Sequence, residues 1–192
     1  MKRDHVSFQR RPFLTPIWLT AIVAIGSVMV VCFAAFTVWV WATAASTTVI
    51  VIRHAEKDLS VSAVDPPLSQ AGEARAALLA RMFGDAGVLG HLDAVYVSPA
   101  LRNRLTAAPL AASLGIIETV AVDDPRRLAL RALREHSGGR VLIVGHSDTI
   151  SQIVAALSGN PTIPEIGAQE YGTMYIVTVP RIGHANLLRL NY

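Results

Sequence analysis

The sequence predicts an α/β fold, a three-layer α/β/α sandwich with a mainly parallel sheet, preceded by one N-terminal transmembrane helix. Three observations predict it. From residue 47 onward, short apolar runs alternate with helical stretches, the pattern of parallel strands covered by helices on both faces. Two of the runs, Val49-Ile50-Val51-Ile52 and Val141-Leu142-Ile143-Val144, have no polar face, as strands buried on both sides require. Residues 17–45 carry no charge over 29 positions, which at ~1.5 Å per residue outreaches a ~30 Å hydrocarbon core.

The chain of 192 residues is sized for one domain with an appendage, and its 52% hydrophobic content is high for a chain wholly in water. The lone Cys32 leaves no intramolecular disulfide and no thiolate metal cluster. The net charge of +3 belongs to the N-terminus. Lys2, Arg3, Arg10 and Arg11 against Asp4 account for all of it, and the remaining 13 basic and 13 acidic residues cancel. A neutral folded part argues against a nucleic-acid partner, which needs a basic face.

Three segments follow: a basic cytoplasmic tail at 1–16, a signal-anchor helix at 17–45 and a folded domain at 46–192. Trp18 lies near one end of the helix, with Trp39 and Trp41 near the other, as interfacial anchors do. The basic cluster keeps the N-terminus cytoplasmic, so a single-pass protein of the inner membrane would hold its domain in the periplasm. The rival is secretion after signal cleavage, for which Ala42-Thr43-Ala44 offers a site; an apolar run about twice the usual ~7 to 15 residues speaks against it.

Within the domain, the first strand holds Val49 to Ile52 and a loop runs through Pro66 and Pro67. Ser69 caps a helix over 71–82, which Gly84 and Gly87 end. A second strand covers 92–97, a helix 105–114 stops at Gly115, and a third strand covers 116–122. Asp123 or Asp124 caps the next helix, with Pro125 at its first position and Ser137-Gly138-Gly139 closing it. The fourth strand, 141–144, leads to a helix over 149–157. Two last strands, 174–179 and 186–190, form a hairpin around 180–185. There is no internal repeat and no low-complexity segment.

Three strand ends deliver polar clusters: Arg53-His54, Ser98 with Arg102, and Gly145-His146-Ser147-Asp148. Parallel neighbours open all three onto one edge of the sheet, where open α/β sheets bind ligands. Two Arg and two His gathered there repel one another unless an anion sits among them. Arginine's planar fork suits a phosphoryl group, and a neutral imidazole is a nucleophile near neutral pH.

In order and approximate spacing, these motifs resemble the histidine phosphatase superfamily, its phosphoglycerate-mutase-like branch 1. The resemblance rests on Arg53-His54, Leu68-Ser69-x-x-Gly72, Ser98-Pro99-x-x-Arg102-x-x-x-Thr106-Ala107 and Gly145-His146-Ser147, and covers about residues 47–192. The Arg-His-Ala-Glu-Lys form and only 39 residues between Thr106 and His146 look more like a small phosphohistidine-phosphatase-type member than like a mutase. The resemblance implies a metal-independent phosphatase acting on a phosphomonoester or phosphoramidate. His54 would be the nucleophile, held through its second ring nitrogen by a backbone carbonyl, and would form a phosphohistidine. Arg53, His54, Arg102 and His146 would bind phosphate, with His146 donating a hydrogen bond.

The chain departs from the family at Asn103, Leu105 and Ala55, and above all in the acid that protonates the leaving group. Glu56 and Asp148, each two residues past a catalytic histidine, are candidates; Asp123, Asp124 and Glu170 are weaker ones. Without a placed acid, phosphoramidates and acyl or aryl phosphates become better substrates than alkyl phosphates. His5, His91, His136 and His184 read as tail, helix-end and turn residues.

No cofactor or metal is expected, since two arginines disfavour a cation at His54, Glu56 and His146. The partners expected are a phosphorylated small molecule or envelope component and, through the helix, the membrane. The competing function is a non-catalytic phosphate- or phosphosugar-binding module. No glycine-rich Lys-Ser/Thr loop follows any strand, which sets aside P-loop nucleotide chemistry.

Overall fold

The computed structural model of the chain describes residues 17–44, 46–84, 91–121 and 124–192. They fall into two compact units, one ending at Trp41 and one spanning Ala42–Tyr192. Helix α1, Ile17–Ala44, lies in the first unit as far as Trp41. It is long and apolar enough over Ile17–Trp41 to be a membrane anchor or a signal sequence. Its few hydroxyls return to their own backbone: Thr20, Ser27 and Thr37 each donate to a carbonyl three or four residues back at 2.8 Å. Such internal satisfaction is what an apolar solvent demands of a polar side chain.

The second unit is a six-stranded mixed sheet with helices on both faces. In chain order its elements are β1 (Thr47–Arg53), α2 (Gln70–Gly84), β2 (Ala94–Val97), α3 (Leu101–Leu114), β3 (Thr119–Val120), α4 (Pro125–Glu135), β4 (Arg140–Gly145), α5 (Ser147–Ser158), β5 (Thr173–Val179) and β6 (Asn186–Asn191). The strand order is β3-β2-β4-β1-β5-β6. The first four in that order run parallel, while β5 joins β1, and β6 joins β5, antiparallel.

Side-chain alternation on the strands builds two cores. Val49 and Val51 of β1 face the α4 and α5 residues Leu128, Ala132, Ile150 and Ile153. Ile50 and Ile52 face Leu79 and Phe83 of α2 and Leu110 of α3. Each such aliphatic side chain, fully removed from water, contributes roughly 1.5–3 kcal/mol. The apolar runs of β1 and β4 thus have no polar face because neither face meets water.

Three boundaries differ from expectation. The second strand begins at Ala94, because Asp93 turns aside to accept the Arg140 N–H at 2.7 Å. Helix α3 begins at Leu101, four residues early, because Asp65 from the preceding loop accepts the Leu101 N–H at 2.7 Å. The third strand shrinks to two residues, paired with β2 alone at the sheet's edge. Asp124 caps α4, accepting from the Arg127 N–H at 3.0 Å, whereas Asp123 and Gly87 lie outside the described residues.

Candidate active site

Strands β1, β2 and β4 end side by side, so Arg53-His54, Ser98 and His146 emerge at one edge of the sheet. Their backbones are joined there. The His54 N–H donates to Gly145 O at 3.0 Å and the Ser98 N–H to Val144 O at 3.4 Å. Helix α3 is fastened to the same edge by two buried polar residues. Asn103 donates to Val144 O at 2.9 Å. Thr106 accepts the Ala55 N–H at 2.9 Å and donates to Arg102 O at 2.7 Å. Helix α2 approaches so closely that any Cβ at Gly72 would collide with the carbonyl of Glu56. The glycine of the Leu-Ser-x-x-Gly motif therefore permits the packing that supports the loop after His54.

The two imidazoles converge with ring centroids 5.3 Å apart, nearly edge to face. His54 is 4% exposed, and its Nδ1 lies 2.7 Å from Ala55 O. That carbonyl fixes the tautomer: Nδ1 carries the proton and Nε2 keeps its lone pair. Burial, with Arg102, Arg53 and His146 nearby, lowers the pKa of His54 to about 4. His146 is also pushed below its usual range, by burial first and Arg102 second. Its Nδ1 faces Arg102 Nη2 at 3.4 Å and its Nε2 faces Ser98 Oγ at 2.9 Å. A guanidinium only donates, so Nδ1 accepts and Nε2 holds the proton of the neutral ring.

The two arginines are held differently. Arg53, 7% exposed, donates through Nη1 to the carbonyls of Gly167, Ala168 and Glu170 at 2.9, 3.0 and 3.4 Å, and its guanidinium lies 4.2 Å from the ring centre of Tyr171. Its Nε is buried without a partner, and among the described residues no carboxylate pairs with it. Arg102 pairs with Asp65 at 3.1 Å, and its Nε is likewise buried and unpartnered.

Glu56 stands beside the site but is occupied: Arg75 holds both its carboxylate oxygens at 2.6 to 3.0 Å, which lowers its pKa. Asp148 is exposed on the first turn of α5 and acts on His146 only through its charge. Glu170 is bound by Thr173, the Gly167 N–H and Arg189. Three participants carry no sequence motif. Asp65, Arg75 and Tyr171 reach the site through a loop, a helix face and a turn, and no spacing in the sequence announces them.

The architecture is thus that of an α/β domain with a cationic crevice at the carboxyl ends of parallel strands. Residues 49–126 match the model of the histidine phosphatase superfamily (branch 1), and the domain has the fold of solved histidine phosphatases. One similar structure is the protein histidine phosphatase SixA complexed with tungstate, with TM-score 0.60 and 23% identity over 75% of this chain and 96% of that one. A SixA-type protein from Nakamurella multipartitia matches with TM-score 0.58 and 21% identity, over 78% and 98%. A mycobacterial glucosyl-3-phosphoglycerate phosphatase matches with TM-score 0.60 and 16% identity, over 76% and 99%. No curated protein matches the chain in sequence.

Proposed function

We propose that the chain is a membrane-anchored, metal-independent phosphatase that hydrolyses a phosphomonoester or phosphoramidate through a phosphohistidine on His54. The observation that carries this reading is Arg53, a buried guanidinium that meets backbone carbonyls and the Tyr171 ring but, among the described residues, no carboxylate. Neutral dipoles offset only part of the cost of a buried cation, and an anion in the crevice supplies the opposite charge.

His54 Nε2 attacks phosphorus while the bond to the leaving group breaks on the far side and its electron pair goes to the leaving atom. Ala55 O receives the Nδ1 proton's hydrogen bond and gains strength as the ring becomes cationic. Arg53, Arg102 and His146 hold the equatorial oxygens, whose charge the site must meet as the bond loosens. Water then attacks the phosphohistidine, releasing phosphate and the free imidazole. A metal held by His54, Glu56 and His146 would need Glu56, whose oxygens Arg75 already occupies. The basic tail and the span at 17–41 support a cytoplasmic N-terminus and an extracytoplasmic domain.

The test is to incubate the full chain in detergent with a labelled aryl phosphate and EDTA, quench, and map the label. Acid-labile, alkali-stable label on His54 with release of phosphate supports the enzyme. Binding without label or release supports the non-catalytic phosphate-binding module.

A further inference from the structure

The reaction just described needs a proton for its leaving group, and neither carboxylate flanking a catalytic histidine is suited to give one. Glu56 is clamped in its charged form by Arg75, and Glu170 is held likewise by Thr173, the Gly167 N–H and Arg189. Asp148 makes no side-chain hydrogen bond to the site, and Asp124 binds the Arg127 N–H and guanidinium, neither of which belongs to the phosphate clamp. A fifth carboxylate, however, touches the phosphate clamp itself. The geometry points to Asp65 as the acid that protonates the leaving group and the base that then activates water; the assignment rests on the phosphatase reading above.

Asp65 bonds two neighbours with its two oxygens: Oδ2 accepts from the Leu101 N–H at 2.7 Å and Oδ1 from Arg102 Nη1 at 3.1 Å. The same guanidinium reaches His146 Nδ1 through its other terminal nitrogen at 3.4 Å. An oxygen of the phosphoryl group bound by Arg102 therefore lies beside the Asp65 carboxylate. The side chain is 44% exposed, so a leaving group on the solvent side of Arg102 can reach it.

Its placement also explains how it gains a proton. An incoming phosphoryl dianion competes for Arg102 and sets a second negative group beside Asp65, and two anions on one cation favour a proton on one of them. Arg102 and His146 are the charged or titratable groups that face it. In the first step the Asp65 proton passes to the leaving oxygen as the P–O bond breaks and the His54 N–P bond forms. In the second, the Asp65 carboxylate takes a proton from the water that attacks phosphorus, which restores it and yields phosphate.

The carrier is a loop closed at its base and attached at its tip by this residue. Asp58 N–H donates to Pro67 O at 2.9 Å and Lys57 bridges Leu68, sealing the base. Among the described residues, the tip's hydrogen bonds to the rest of the domain are those of Asp65.

The experiment compares Asp65→Asn with the parent chain, both full-length in detergent, on p-nitrophenyl phosphate and on an alkyl phosphate such as glycerol phosphate. Asparagine keeps an oxygen for the Leu101 N–H, so α3 retains its start. Loss of a positioned acid costs ~10²- to 10⁴-fold on the alkyl ester, whose leaving group requires the proton, and under ~10-fold on the aryl ester, whose leaving group does not. Asp65→Glu recovers part of the alkyl activity. Equal losses on both esters would assign Asp65 a positioning role through Arg102 and overturn the inference while leaving the phosphatase reading intact. A parent chain that turns over neither ester overturns both.

Discussion

The two edges of the sheet use the same residue types to opposite ends. At the amino edge, Ser46, His91, Asp93, His136 and Arg140 line a cavity of about 590 Å³, against about 70 Å³ for the one lined by Ser98 and His146. Its polar groups answer one another. Tyr96 donates to Glu135 at 2.8 Å and accepts from His136 Nε2 at 3.0 Å, Arg131 pairs with Glu135 at 3.1 Å, and Asp93 accepts from the Arg140 backbone. At the carboxyl edge, two imidazoles are kept neutral and, among the described residues, one arginine has no carboxylate partner and two guanidinium nitrogens are buried without partners. Volume does not distinguish a site; unmet charge does.

The sharpest break of that contrast is His54→Ala, which removes the proposed nucleophile. Turnover of an aryl phosphate should fall by more than ~10⁴-fold and the acid-labile label should vanish, with far-ultraviolet circular dichroism unchanged. Next in size, Arg53→Met removes the uncompensated cation but keeps an apolar stem under Tyr171. It should lower turnover ~10²- to 10³-fold, as loss of one transition-state donor does, while leaving the denaturation midpoint equal to or above that of the parent. A fall in both would make Arg53 a structural tether for the 167–170 turn.

The pH dependence of stability follows from His54. Its folded pKa of about 4 lies below the unfolded value near 6.5, so the unfolded chain takes the proton first as pH falls. The full contribution is present above about 6.5 and is lost on descending toward 4, amounting to ~3 kcal/mol at about 1.36 kcal/mol per unit. Denaturant titrations at pH 7 and pH 4.5 measure it, and His54→Asn should flatten the difference. The smallest effect belongs to the other edge: Tyr96→Phe should cost about 1 kcal/mol of stability and leave turnover unchanged.

Much of this was legible in the sequence because strand ends are. Uninterrupted apolar runs ending on Arg53-His54 and on Gly145-His146 place three side chains at one edge by topology alone, without knowledge of distances. The motif glycine and threonine were visible as pattern, but their work emerges only in space: Gly72 admits a carbonyl, and Thr106 carries two backbones on one hydroxyl. Glu56 looked available because proximity in sequence cannot show Arg75 arriving from 19 residues away. Asp65 looked like loop for the mirror reason, since its contacts lie 36 and 37 residues downstream.

The Thr106 hydroxyl has a mechanical corollary. It ties the chain immediately after His54 to the carbonyl of Arg102, so the proposed attacker and the proposed clamp share one reference point. If α3 slides, the attack line and the anion cradle travel together, and their mutual aim survives. Drift in the surrounding loops can therefore alter what enters the crevice without detuning the strike itself.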